Sequence, residues 1–373
     1  MPSKRPRLVH VITSLKQGGA ETVLSQLVLG LRATFNQTVI YFYDGPLRAS
    51  IESAGIKCIQ IKAWGGYANP LFFFRLAYTL SQQRPQCIHT VLWSANFLGL
   101  IAATWLGIPC VSSMHTVVEH EGKLRTWLDR LMPLHPTKTV AVAPIIARSL
   151  RAHKKCSPEQ LVTIPNGIDV EKVQLLSQQP VPIPLPCSQE TAVVFGTVGR
   201  LVPVKNYPLL IESFAALAAQ YPNTHLVIIG SGPQEQDLRT QIQTKKLTNR
   251  ITLITGQSAY PYYRHFTCFV QPSAYEGLSL ALLEAMANTL PVIVSAQYEG
   301  THDVITNEVT GIVIPPNDSV ALTQALRRII VSPTTAEQLG AAAQLLIRKH
   351  YTSQTMVDAY AQLFTQVYQR DLE

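Results

Sequence analysis

The chain has 373 residues, 47% of them hydrophobic, which is enough for two domains with ordinary cores and too apolar for a mostly disordered chain. Its formal net charge of +8 is lopsided, with 19 Lys+Arg against 9 Asp+Glu through residue 180 and 12 against 14 beyond it, so one half is expected to meet an anionic surface. No apolar run reaches the ~18 residues of a membrane span, and no dense basic run with interleaved aromatics, zinc-finger or RNA-recognition signature points to nucleic acid.

In chain order, Lys4, Arg5 and Arg7 come first, but the apolar stretch behind them is broken by His10, Thr13 and Ser14, so a signal peptide is not expected. RLVHVITSL reads as a strand running into Gly18-Gly19-Ala20-Glu21 and the helix AETVLSQLVLGL. Paired glycines at a strand end let the backbone approach a ligand, although a tight turn explains them equally well. Their spacing is neither the dinucleotide fingerprint nor a P-loop. Strands QTVIYFYD, KCIQIKA and QCIHTVLW, the buried helix NFLGLIAATWLG, and strands PCVSSMH and TKTVAVA fill the first half. His115 closes PCVSSMH, where a histidine serves either a ligand or a structural hydrogen bond.

KLRTWLDRLMPL, from Lys123, puts Leu124, Trp127, Leu128 and Leu131 at helical spacing beside Lys123, Arg125 and Arg130. That is the pattern of an interfacial helix on an anionic membrane, and an amphipathic core helix shares it. Cys58, Cys87, Cys110, Cys156, Cys187 and Cys268 form no C-x-x-C pair, which argues against a disulfide framework or zinc site and for a reduced cytosolic compartment. Four prolines in PVPIPLPC, 180 to 187, preclude helix and central strand and read as a linker.

The alternation then restarts with TAVVFGTVG, PLLIESFAALAAQ, HLVIIG, a helix after Pro233, ITLITG, CFVQP, PVIVS and GIVIPP. It predicts two α/β domains, 1–180 and 188–350, whose ligand lies at the carboxyl ends of strands in the cleft between them. A helical tail, 351–373, is expected to return to the first domain. After TAVVFGTVG come Arg200, Lys205, Asn206 and Pro208. Asn206 reads as an N-cap and Pro208 as a first-turn residue, which leaves both cations in a loop, where a guanidinium fork and an ammonium suit a diphosphate.

In PSAYEGLSLALLEAMA, Ser279 reads as an N-cap, with Glu276 in the loop before it and Glu284 about one turn inside an otherwise apolar helix. A buried carboxylate without compensation is costly, and no Lys or Arg is near in sequence, so a pair of ligand hydroxyls is its expected partner. The alternative is that Glu276 complements the helix dipole and Glu284 finds a buried polar partner elsewhere. Backbone N–H groups at Gly277, Leu278 and Ser279 make an anion site at the helix start.

Taken together, GGAE at 18–21, PNGID at 165–169, GR then KN from Gly199, GSGP at 230–233 and the E-x7-E pattern with EAMA resemble glycosyltransferase family 4, the retaining enzymes of GT-B architecture. The resemblance implies two Rossmann-like domains facing each other across a cleft and a nucleotide-sugar donor held mainly by the second. It assigns Arg200 and Lys205 to the diphosphate with the backbone at Gly277, Leu278 and Ser279. Glu284 falls to the ribose hydroxyls, Glu276 and His115 to the transferred sugar, Gly19 to the diphosphate with Gly18 beside it in the donor site, and the loop at Gly256 and Gln257 to the base. It implies a UDP-sugar, with GDP-mannose as nearest rival, and a lipid-linked or glycan acceptor in surface polysaccharide synthesis. The enzyme is then expected to need no metal or other cofactor and to sit peripherally on the inner face of the membrane. A nucleotide-sugar epimerase or phosphorylase on the same fold, or a non-catalytic binding partner, are the alternatives. Two positions depart from the family. Thr289 stands where glycine is usual, so Asn288 is expected to take the left-handed cap, and Asp303 stands where glutamate is commoner.

Overall fold

The computed structural model describes residues 5–62, 69–118, 125, 136–153, 155–183, 192–295 and 304–370. The chain forms two compact units, Met1–Gly167 together with Ser353–Glu373, and Ile168–Thr352. The proline-rich linker lies outside the described residues from 184 onward, as do Asp303 and all of the segment from Lys123 to Leu134 except Arg125.

The first unit runs β1 (Arg7–Ser14), α1 (Gly19–Gly30), β2 (Asn36–Tyr43), α2 (Leu47–Ser53), β3 (Lys57–Gln60), α3 (Pro70–Gln83), β4 (Cys87–Val91), α4 (Trp93–Leu106), β5 (Cys110–Met114), β6 (Lys138–Ala141), α5 (Pro144–Ala152) and β7 (Leu161–Thr163). Its strands pair in parallel in the order β3-β2-β1-β4-β5-β6-β7. Helices cover both faces of such a sheet, so its central strands are apolar without alternation. Accordingly Leu8, Val9, Val11 and Ile12 are all buried. Strand order reverses between β1 and β4, the kind of switch point where ligands meet the carboxyl ends of strands.

One polar ladder crosses this core and ties in the last helix, Ser353–Arg370. Gln37 donates to the Val28 carbonyl at 2.9 Å, which turns its own carbonyl toward His10 Nε2, also at 2.9 Å. His10 therefore donates from Nε2 and accepts at Nδ1 from His89 Nδ1, 2.9 Å away. His89 Nε2 accepts from Ser113 Oγ at 2.8 Å, which accepts in turn from the Tyr360 hydroxyl at 2.8 Å. Every member is satisfied with both rings neutral. Burial agrees, lowering the pKa of His10 to about 4 and holding that of His89 well below its usual value.

The second unit runs α6 (Val170–Ser177), β8 (Val193–Val198), α7 (Tyr207–Ala218), β9 (Thr224–Ile229), α8 (Glu235–Thr244), β10 (Ile251–Ile254), α9 (Tyr260–Tyr263), β11 (Cys268–Gln271), α10 (Leu280–Ala287), β12 (Val292–Ser295), β13 (Ile312–Ile314), α11 (Ser319–Val331) and α12 (Pro333–His350). Its parallel sheet has the order β10-β9-β8-β11-β12-β13, with the reversal between β8 and β11. The glycines of GSGP have a packing reason, since a Cβ on Gly230 would lie 1.8 Å from the carbonyl oxygen of Gly199.

The expected cap at Asn288 is corrected: Asn288 has φ −85°, and Thr289 itself takes the left-handed conformation at φ 62°. The closing bonds decide it. Thr289 N donates to Met286 O and Leu290 N to Ala285 O, a Schellman pair whose left-handed residue comes one place after the cap. Close packing holds the strain in place, because the Thr289 carbonyl lies where a side chain on Gly340 of α12 would stand. Thr289 is exposed, so Thr289→Gly is expected to relieve about 1 kcal/mol of strain net of the added freedom of the unfolded chain. The measurement is a Tm raised by a few degrees; an unchanged or lower Tm contradicts it.

Candidate active site

The sequence-predicted residues follow the carboxyl ends of strands, most of them close to a switch point. In the second unit β8 leads into Gly199 and Arg200, then a 3-10 turn, Pro203–Lys205, and Asn206 as the N-cap of α7. Asn206 caps by position only, in the left-handed conformation, and its amide goes to Asn317 Oδ1 at 2.9 Å. The loop after β11 is tied to this turn by Ala274 N donating to Val204 O at 2.8 Å. That bond brings Lys205 to Glu276, and the ammonium donates to Oε2 at 2.6 Å with side chains 12% and 25% exposed. Arg200 is exposed on the same loop.

Glu276 lies just before α10, whose N-cap is Ser279, again by position and without a side-chain bond to the helix. Gly277 and Leu278 complete the approach to this helix end, a positive pole suited to an anion. Gln271 Oε1, Ser273 Oγ and Ser295 Oγ, at the ends of β11 and β12, are buried without a hydrogen-bond partner among the described residues. Such groups are costly unless a ligand or water meets them. Gly256, with φ 70° and open space where a side chain would stand, and the exposed Gln257 follow β10 at the edge of the same sheet.

Glu284 does not wait for an external partner, and the expectation that it must is corrected. Tyr263 donates to its Oε2 at 2.8 Å and Tyr260 to its Oε1 at 3.1 Å. Both phenols come from α9, 21 and 24 residues upstream. Among the described residues no cation accompanies them, and burial dominates and raises the carboxyl pKa to about 7, with the two phenols pulling the other way. The apolar neighbours Leu282, Leu283, Ala285 and Met286 are buried as expected.

In the first unit Gly18 is the N-cap of α1, and the Glu21 carboxylate folds over it to accept from Ser14 Oγ at 2.7 Å. A Cβ on Gly18 would strike that carboxylate at 2.4 Å, whereas a Cβ on Gly19 would meet nothing within 4 Å among the described residues. His115, after β5, lines a cavity of 230 Å³ with Thr13, Leu92, Trp93 and Asn96, and burial lowers its pKa to about 4. The imidazole is therefore neutral at pH 7. Thr13 Oγ1, Trp93 Nε1 and Asn96 Oδ1 are buried and unpartnered among the described residues. Leu92 has φ 73° and ψ 149°, a conformation that costs a non-glycine residue about 1–3 kcal/mol and clusters at functional sites. Arg125 lies over the Trp93 ring, 5.1 Å from its centroid.

Neither the tyrosine pair nor the strained Leu92 cavity is predicted by the sequence. The only sequence signal for the first was the pair of tyrosines three apart in YPYY; the second left none.

Two family descriptions match the chain: Glycosyltransferase Family 4 over residues 17–172, and glycosyl transferases group 1 over residues 187–346. The chain is 30% identical over 347 residues, 87% of each sequence, to the UDP-Gal:alpha-D-GlcNAc-diphosphoundecaprenol alpha-1,3-galactosyltransferase of Escherichia coli. Among solved structures it is similar to Anabaena HepE in complex with UDP, at TM-score 0.82 and 20% identity over 96% of this chain and 100% of that one. It is likewise similar to sucrose-phosphate synthase from Thermosynechococcus elongatus, at TM-score 0.80 and 20% identity over 98% and 100%. The fold of the two units is GT-B.

Proposed function

We propose that this chain, which belongs to glycosyltransferase family 4, moves a sugar from a UDP-sugar to a hydroxyl of a lipid-linked or glycan acceptor, with retention of configuration and no bound metal. The observation that carries the reading is the Lys205–Glu276 pair at the start of α10, with Arg200 on the same loop. An ammonium, a guanidinium and a helix end supply positive charge where a diphosphate departs, the task a metal serves elsewhere. The UDP in the Anabaena complex and the UDP-Gal of the E. coli relative favour this nucleotide. The diphosphoundecaprenol of that relative favours a lipid-linked acceptor.

In this reading the bond from the anomeric carbon to the phosphate oxygen breaks as one to the acceptor oxygen forms on the same face. The acceptor proton passes to the departing phosphate. Arg200 and Lys205 stabilise the charge growing on that group, with the backbone of Gly277, Leu278 and Ser279. Glu276 accepts from hydroxyls of the donor sugar, Glu284 from the ribose, and the base lies on Gly256 and Gln257. His115 and the polar cavity it lines are assigned to the sugar and acceptor hydroxyls, Gly18 and Gly19 to the diphosphate. Neutral His115 suits a hydrogen bond rather than charge pairing. No helix among the described residues is long and apolar enough to cross a membrane, and the reading places the enzyme peripherally on the inner face.

The test is UDP release from UDP-glucose, UDP-galactose and UDP-N-acetylglucosamine, with GDP-mannose as the rival, over polyprenyl-diphosphate-sugar and free glycan acceptors. Acceptor-dependent release with an α-linked product is expected. Tight UDP binding without turnover on any acceptor points instead to a binding partner, and an inverted product overturns retention.

A further inference from the structure

Helix α3 is apolar on both sides. Its inner face buries Phe72, Leu76, Ala77 and Leu80, the half that fits an amphipathic helix. Its outer stripe, where polar residues belong, has Leu71, Phe74 and Tyr78 at 63%, 55% and 67% exposure. Trp105 of α4, 63% exposed, extends the stripe, with its ring 6.2 Å from Phe74 and 5.9 Å from Phe73. Contiguous exposed aromatics of this kind mark an interaction face.

Charge identifies what the face meets. No Asp or Glu occurs between Glu52 and Glu119, while Lys57, Lys62, Arg75 and Arg84 fall in that stretch. Arg75 is exposed on the outer stripe, and with Lys62, Tyr78, Gln60 and Thr79 it lines an open depression of 390 Å³. Two cations and a phenol around such a hollow suit a phosphate monoanion. Trp, Tyr and Phe beside cationic side chains form the composition that partitions into the boundary between lipid headgroups and acyl chains. A second copy fits poorly, since a two-fold interface would set this cationic patch against itself.

We propose that the face formed by Leu71, Phe74, Tyr78 and Trp105 seats in the headgroup layer of an anionic bilayer, with a lipid phosphate in the depression between Lys62 and Arg75. This specifies the membrane contact invoked for a lipid-linked acceptor and rests on that reading. It puts the contact on α3 and α4 rather than on the segment from Lys123.

The experiment is co-sedimentation of the full chain with vesicles of phosphatidylcholine, with and without one third phosphatidylglycerol, at low and high salt. Wild-type protein is expected to bind the anionic vesicles at least tenfold more tightly, with the preference falling at high salt. Phe74→Ser with Trp105→Ser is expected to lower vesicle binding at least tenfold while Tm and UDP release on a water-soluble glycan acceptor stay unchanged. Arg75→Glu, an exposed single change that keeps the aromatics, is expected to abolish the anionic preference and serves if the double variant folds poorly. Wild-type binding by these variants overturns the face while membrane attachment stands. Wild-type protein that binds neither vesicle overturns both. A concentration-dependent dimer in wild-type protein, lost in the double variant, overturns it in favour of a second copy.

Discussion

Lys205→Met and Glu276→Gln are each expected to lower turnover by about 10²- to 10³-fold, the usual cost of removing one preorganised contact to developing charge. The two side chains are in direct contact at 2.6 Å, so each change also releases its partner. Without Glu276 the ammonium loses the acceptor that aims it; without Lys205 the carboxylate faces the diphosphate region uncompensated. The pair is therefore expected to act as one unit, and the double variant to be little worse than the poorer single one rather than the product of both losses. Stability is a separate matter. The side chains are 12% and 25% exposed, and an ion pair with that access to solvent contributes about 1 kcal/mol or less, so Tm is expected to shift by only a few degrees. Single-turnover UDP release together with thermal melts reads both quantities. Turnover within tenfold of wild type in either single variant removes this pair from the chemistry.

The second large effect concerns Glu284. With its carboxyl pKa raised to about 7 by burial, it takes up a proton near neutrality and then has one fewer lone-pair oxygen for a ribose hydroxyl. Donor KM is accordingly expected to rise as pH falls through about 7. The stability effect runs the other way. Between 4.5 and about 7 the folded protein holds a proton that the unfolded chain has released, so stability falls with rising pH, by at most about 1.4 kcal/mol per pH unit. Glu284→Gln keeps an acceptor oxygen for one of the phenols of Tyr260 and Tyr263, offers the other an N–H to accept from, and removes the ionisation. It is expected to raise donor KM at least tenfold at pH 8, to flatten the pH dependence of KM, and to melt several degrees above wild type at pH 8 but not at pH 5. Equal KM and equal melting at pH 8 defeat this account. A carboxyl that weakens the fold at neutral pH and is expected to serve donor binding is the kind of local conflict found where local rules yield to function.

Both sheets were legible in the sequence because parallel strands covered on two faces are written as short apolar runs, such as LVHVI in β1 and HLVII in β9. The loop positions of Arg200, Lys205 and Glu276 followed from strand ends and helix starts, which are local signals. Their pairing was not legible, since Lys205 and Glu276 are 71 residues apart and meet through one backbone bond between loops. The tyrosines that hold Glu284 sit in a helix of four residues, too short for any periodicity to register. The left-handed residue is Thr289 and not Asn288 because the closing hydrogen bonds set its place, and a side-chain preference for that conformation does not show where those bonds fall. Helix α3 is not legible for a related reason: with apolar residues on both sides, PLFFFRLAYTL shows no polar stripe to set its period.

The return of the last helix has a consequence for biogenesis. Tyr360 completes a row of hydrogen bonds begun by Gln37, and Phe364 packs edge-on against His10 and tilted against Tyr360. Segment 353–370 leaves the ribosome only after the whole of Ile168–Thr352 has been made. The nascent first unit therefore cannot complete its interior until the second has been synthesised, although its own sheet is translated first.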